Sequence, residues 1–213
     1  MLINARQTDL NELPNYLAPQ MGRKNLIIIF FCLNGFLLEA QELKQEREVY
    51  LDRSEMPGAI LELLDSLVPN ATKLKYLQET DGAHESYEVK FDFKHRKYSV
   101  EFSKELVLED VEVDIHHRLL PHEVKSRIDS TLTSFQGHKI NKIQKQFSSN
   151  GQSDEEIIEA SLNDATISKV CYELEVSLKI DNHWEDAEML FDANGYLIKQ
   201  RKIIKRESDF IDY

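Results

Sequence analysis

The segment Tyr172-Glu173-Leu174-Glu175-Val176-Ser177-Leu178-Lys179-Ile180 alternates apolar and polar residues without a slip. Successive side chains of a strand point to opposite faces, so this period predicts a half-buried β-strand. It is followed by Ala187-Glu188-Met189-Leu190-Phe191, the turn Asp192-Ala193-Asn194-Gly195, and Tyr196-Leu197-Ile198. A near copy of this arrangement lies at residues 87–113, so the chain reads as one supersecondary unit used twice.

Each copy is preceded by an amphipathic helix. Met56, Ala59, Ile60, Leu63, Leu64, Leu67 and Val68 recur with helical period, with Ser54 as candidate N-cap, Pro57 in the first turn and Pro69-Asn70 as terminator. Four strand-like runs follow, two of them marked by Tyr87, Val89, Phe91 and Phe93 and by Tyr98, Val100 and Phe102. The pattern restarts at Leu120, Val124, Ile128, Leu132 and Phe135, with Pro121 in the position of Pro57. The second copy carries an extra acidic segment at about residues 148–168. There Ser153-Asp154-Glu155-Glu156 reads as a capping box opening a short helix with Ile157, Ile158 and Leu162 inward. This insertion is expected to be a solvated decoration.

The N-terminal region has a different character. Arg23-Lys24 precede an apolar run from Leu26 to Leu38, too short to span a bilayer comfortably but suited to a secretory signal. Residues 1–40 are therefore expected to be an upstream extension and signal peptide, with Met1 and Met21 both open as the start. Gln41 to Tyr50, short and charged, reads as a flexible lead-in. No stable membrane anchor is expected after cleavage. The protein is expected in the periplasm or outside the cell.

A helix with Pro in its first turn, then strands ending in a Phe-Asp-Ala-Asn-Gly-Tyr-Leu-Ile hairpin, resembles the PepSY-like family. In tandem after a signal peptide it resembles the β-lactamase-inhibitor-like group of secreted bacterial proteins. The resemblance covers about residues 50–205 and rests on Pro121, Tyr172, Phe191, Asp192, Asn194 and Gly195. In the first copy Ser103-Lys104-Glu105 stands where the second has the Asp192–Gly195 turn. The resemblance implies an α+β fold of two tandem units, each a helix packed on a four-stranded antiparallel sheet, at residues 50–116 and 117–206. Together the units would form one extended sheet with two helices on a face. It also implies an extracytoplasmic binding or inhibitory role without catalysis.

Charge and side-chain chemistry narrow the function classes. The formal net charge is -12, and residues 1–40 sum to zero, so the body of the chain carries all of it. Such a body repels phosphate backbones, which argues against a general nucleic-acid binder. Cys32 falls in the apolar run, leaving Cys171 without a disulfide partner. His116, His117 and His122 cluster in sequence, but neighbouring strand residues point opposite ways and no metal-ligand spacing is present. Asp192–Gly195 lacks the acidic ligand a calcium loop needs eleven residues later, where Ile203 stands. No phosphate loop, nucleophile elbow or paired-cysteine motif occurs, so neither catalytic residues nor a metal or cofactor is expected.

What remains is a protein-binding module acting through an open sheet face. If helices cover the Tyr87/Val89/Phe91 and Tyr172/Leu174/Val176 side, the opposite side shows Glu88, Lys90, Glu173, Glu175 and Lys179, and these with Trp184 are the candidate contact residues. Trp184 itself fits either a loop anchor or core packing at a sheet end. A small-ligand or metal-ion sensor of the cell envelope, with its ligand between the sheet and the acidic insertion, is the alternative.

Overall fold

The computed structural model describes residues 43–165 and 169–204. The apolar run Leu26–Leu38 and the cleavage region lie outside the described residues. Among the described residues ten strands form one sheet: β1 (Leu43–Lys44), β2 (Glu46–Leu51), β3 (Thr72–Asp81), β4 (His84–Phe93), β5 (Arg96–Ser103), β6 (Leu108–Asp114), β7 (Gly137–Ser148), β8 (Lys169–Ile180), β9 (His183–Asp192) and β10 (Leu197–Ile203). Three helices accompany them: α1 (Gly58–Leu67), α2 (His122–Leu132) and α3 (Asp154–Asn163).

Strands β3 to β10 form an antiparallel meander in which sequence neighbours are sheet neighbours. Its two ends are joined by the same short stretch of chain. β2 pairs antiparallel with β3, whereas β1, separated from β2 only by Gln45, pairs parallel with β10. The sheet therefore curls into a nearly closed barrel. This corrects the expected fold class of two helix-plus-four-strand units laid out as an extended sheet. The physical reason is the stretch read as a flexible lead-in. Leu43–Leu51 is the closing strand, and its exposed Glu48, Val49 and Tyr50 gave no clean alternation from which to see it. Register shifts in β3, β6, β7 and β10 add local twist that helps the sheet curl.

The helices cover the outer face, which carries Val89, Phe91, Val100 and Val111 in the first half and Leu174, Val176, Met189 and Phe191 in the second. Ile60 and Leu64 of α1 pack into the first cluster; Val124, Ile128 and Leu132 of α2 pack into the second. Pro57 precedes α1 directly, and Ser54 lies in a separate 3-10 turn, so it does not cap the helix. The insertion helix α3 is part of the core rather than a solvated decoration. Ile157 and Ile158 are almost fully buried in the first cluster, and Ala160 is buried beside them on the helix. The capping box forms as the spacing requires: Ser153 Oγ accepts from the Glu156 N–H at 3.3 Å, and the Glu156 carboxylate accepts from the Ser153 N–H at 2.9 Å.

The turn that closes β9 on β10 is held by Asp192, whose Oδ1 accepts from the N–H groups of Asn194 (2.9 Å) and Tyr196 (2.8 Å). These bonds favour the ionised form and hold the carboxyl below its usual range. Gly195 supplies the left-handed φ of +85°, and a Cβ there would sit 2.8 Å from the Val124 carbonyl oxygen. The absence of a side chain thus lets the turn lie directly on the first turn of α2.

Candidate functional site on the concave face

The polar side of every strand turns inward, and the pairing registers bring the residues together. Glu88 lies opposite Glu101, and Glu101 opposite Asp110. Glu112 faces Gln146, and Gln144 faces Glu173. Glu175 faces Glu188, which faces Arg201. Ion pairs between strands that are not neighbours establish the concavity. Lys44 of β1 bonds Glu188 and reaches Glu173 of β8 at 3.9 Å. Lys90 of β4 bonds Glu48 of β2 across the intervening β3.

Carboxylates outnumber cations in this interior. Glu46, Glu79, Glu88, Glu101, Asp110, Glu112, Glu173 and Glu188 share it with Lys44, Lys90 and Arg201. Burial, together with repulsion from Glu46, Glu101 and Glu88, pushes the Glu79 carboxyl up to about 10. Burial and the neighbouring Asp110 push Glu112 up to about 8. Asp110, Glu173 and Glu101 are raised for the same primary reason, loss of water around the charged form. Glu46 moves the other way: burial opposes its charge, but the Lys44 ammonium at 3.0 Å outweighs it. Gln146 donates to Asp110 at 3.0 Å and to Glu112 at 3.4 Å.

The six residues expected as contacts all lie on this inner side, at different depths. Glu88 is deep, accepting from Ser99 Oγ and lying 3.0 Å from the Lys90 ammonium. Glu173 is enclosed at mid-barrel beside Lys44. Glu175 is more open and pairs with Lys142 at 3.7 Å. Lys179 and Trp184 face each other at the turn end of the β8–β9 hairpin. Trp184 is 58% exposed, with its ring against Gly137. The face expected to be an open platform is therefore the lining of a curled sheet, accessible from its mouth.

Sequence reasoning missed two groupings because their members come from separate strands. Glu46, Glu48 and Glu79 bring carboxylate oxygens within 4.8 Å of one another, as do the ligand atoms of His84, Glu101 and Glu109. The three carboxylates offer the oxygen donors that a hard cation takes, and the His84 set adds a nitrogen donor of the kind transition metals take. His84 Nε2 lies 2.9 Å from Glu109, whose hydrogen bond raises the imidazole pKa. His117 instead pairs with Asp129 on α2 at 2.7 Å, which removes it from any shared site with His122. Cys171 is a free, buried thiol whose pKa is raised by burial.

No family model matches the chain, so the PepSY resemblance rests on the residue pattern alone. No curated protein matches it either. Among solved structures, the chain is similar to a DUF2874 family protein from Bacteroides ovatus, 12% identical over 68% of this chain and 86% of that one, with a TM-score of 0.49. It is similar to a Bacteroides eggerthii protein whose name places it provisionally in the periplasm, at 12% identity, 68% and 88% coverage and a TM-score of 0.48. It is also similar to a BLIP-like protein from Bacteroides fragilis, at 18% identity, 71% and 89% coverage and a TM-score of 0.45. No helix among the described residues is long and apolar enough to cross a membrane.

Proposed function

We propose that this chain is an exported, non-enzymatic binding module that captures a protein partner at the mouth of its concave face. The observation that carries the reading is Trp184. It stands 58% exposed on the inner side of a hairpin end, next to Lys179, whereas Phe91, Phe102, Phe147 and Phe191 are buried in the sheet. An exposed tryptophan beside a flexible cation is a favoured anchor, because its large apolar area loses water on contact while its N–H still finds an acceptor. The charged interior behind it is mostly paired within the protein and does not offer a flat docking surface. The partner therefore engages the rim. Export is part of the same proposal, supported by Arg23-Lys24 and the apolar run that follows. The test compares capture from an exported protein fraction by the wild type and by Trp184→Ala. A partner retained by the first and lost by the second, with both equally folded, supports the reading; equal retention sinks it.

A second reading has its own observation. A cavity of about 200 Å³ lies between α3 and the outer face of the sheet, with Arg96, Lys145, Ser161, Asp164 and Tyr172 in its walls. It is smaller than the roughly 300–1,000 Å³ of most ligand pockets, which is why the rim is preferred. Because α3 is core, deleting the insertion would unfold the protein, so the discriminating variant is Lys145→Met. Thermal shifts with small molecules that vanish in Lys145→Met and persist in Trp184→Ala would favour a small-ligand sensor.

A further inference from the structure

The concave face reverses its charge at one side of the mouth. A cavity of about 370 Å³ there is walled by Lys73, Lys75, Lys90, Lys97 and Lys142, against the carboxylates of Asp92 and Asp114. We propose that this cavity is a binding site for a small multivalent oxyanion, of the phosphate or polycarboxylate type.

Three lysines are already committed. Lys73 pairs with Asp92 at 2.5 Å, Lys142 with Glu175 at 3.7 Å, and Lys90 with Glu48 and Glu88. The other two are not neutralised. Lys75 rests 5.8 Å from the centre of the Tyr50 ring, and Lys97 lies across from Asp92 in the ladder. Among the described residues, neither has a carboxylate within ion-pair distance. Two ammonium groups thus face the same space, with Asp114 as the one lining carboxylate that makes no ion pair among the described residues.

The local backbone points the same way. Lys75 is directly opposite Lys90, and like charges directly opposed on a sheet are destabilising. This register exists because β3 is shifted between Thr72 and Lys75, where Lys73 adopts a left-handed φ of +56°. A bulged strand holding a non-glycine residue in that region stores strain, and bulges re-aim side chains. The bulge sends Lys73 to Asp92 and sets Lys75 facing Lys90, so a strained backbone and a repulsive pair assemble the same wall. A multivalent anion relieves the repulsion and bridges the uncommitted ammonium groups, which act as point-charge oxyanion binders. The cavity volume lies within the usual range for small-ligand sites, and the Gln144 side chain at its wall adds hydrogen-bonding capacity.

The experiment measures the thermal midpoint and calorimetric binding of the full chain with inorganic pyrophosphate and with citrate, against chloride at matched ionic strength. The proposal expects saturable binding of at least one probe, weakening as salt rises. It expects a loss of about tenfold or more in affinity for the double variant Lys75→Met/Lys97→Met, since both uncommitted ammonium contacts to the anion are removed. Both lysines are exposed, so the variant is expected to fold, as circular dichroism checks. Lys169→Met, far from the cavity, is expected to bind as the wild type does. A preference for pyrophosphate assigns the phosphate class and a preference for citrate the carboxylate class. No saturable binding of either probe, or equal binding by the double variant, overturns the site. Trp184 does not line the cavity, so Trp184→Ala is expected to keep anion binding even if it loses the protein partner.

Discussion

Replacing Arg201 by Met tests whether the sheet closes. Arg201 sits on β10 and donates through Nε (2.8 Å) and Nη2 (2.6 Å) to Glu188, and through Nη1 to Asp81 at the end of β3. The Glu188 side chain is 4% exposed and that of Arg201 20%. Hydrogen bonds to charged groups contribute roughly 1.5–3 kcal/mol, and breaking a buried ion pair costs about 3–5 kcal/mol. Lys44 remains on Glu188, and the Gln45 N–H remains on Asp81 at 3.0 Å, so neither carboxylate is stranded. The expected loss on Arg201→Met is therefore nearer the lower end, about 3 kcal/mol. The sharper quantity is the coupling between Arg201→Met and Asp81→Asn in a double-mutant cycle, read by urea unfolding. Residues in direct contact couple by about 1–2 kcal/mol, whereas groups at separate edges add independently. In an open sheet β3 and β10 would lie at opposite ends of the meander. A coupling near zero, with each single loss below about 0.5 kcal/mol as for a surface pair, would refute the closure.

Stability should also fall as pH rises through the neutral range. Glu79 and Glu112, raised to about 10 and about 8, hold protons in the fold that the unfolded chain releases above about 4.5. Their contribution is complete below that value and is lost on the way to pH 8 and beyond. His84, also raised, adds in the same direction, while the lowered Glu46 and Asp81 act only below their ordinary carboxylate range. The thermal midpoint is expected to be higher at about pH 5.5 than at about pH 8.5, and a flat or rising profile would contradict the protonated interior. Ile158→Ala should cost about 2–5 kcal/mol in chemical unfolding because α3 is core, and a loss under about 0.5 kcal/mol would return the insertion to the surface. Gly195→Ala should cost about 1–3 kcal/mol, from the left-handed φ and from the contact with the Val124 backbone; a neutral effect would mean the turn does not press on α2.

The alternation of Tyr172–Ile180 and of Tyr87–Phe93 was enough to tell which side chains share a face. Period-2 patterning is local, and here it places Glu88, Lys90, Glu173, Glu175 and Lys179 together as written. What the pattern could not convey was curvature. A flat sheet and a curled one have the same alternation, and the difference rests on Leu43–Leu51, whose charged residues look like linker until their partners Asp81 and Ile203 are known. The mouth cavity was hidden for a related reason. Lys73 and Lys75 come from β3, Lys97 from β5 and Lys142 from β7, and only the bulge at Lys73 sets the first two in place. The insertion misled because its capping box is acidic and exposed, while Ile157 and Ile158, already visible as inward residues, decide where the helix goes.

The central claim is that a partner protein is held at the mouth around Trp184, and site-specific photo-cross-linking tests it most directly. A photoreactive residue placed at position 184, with another at the exposed Glu105 in the β5–β6 turn as reference, is irradiated in cells that export the protein. The account predicts one discrete cross-linked species from position 184 and none from position 105. No species from 184, or the same species from both positions, would contradict it.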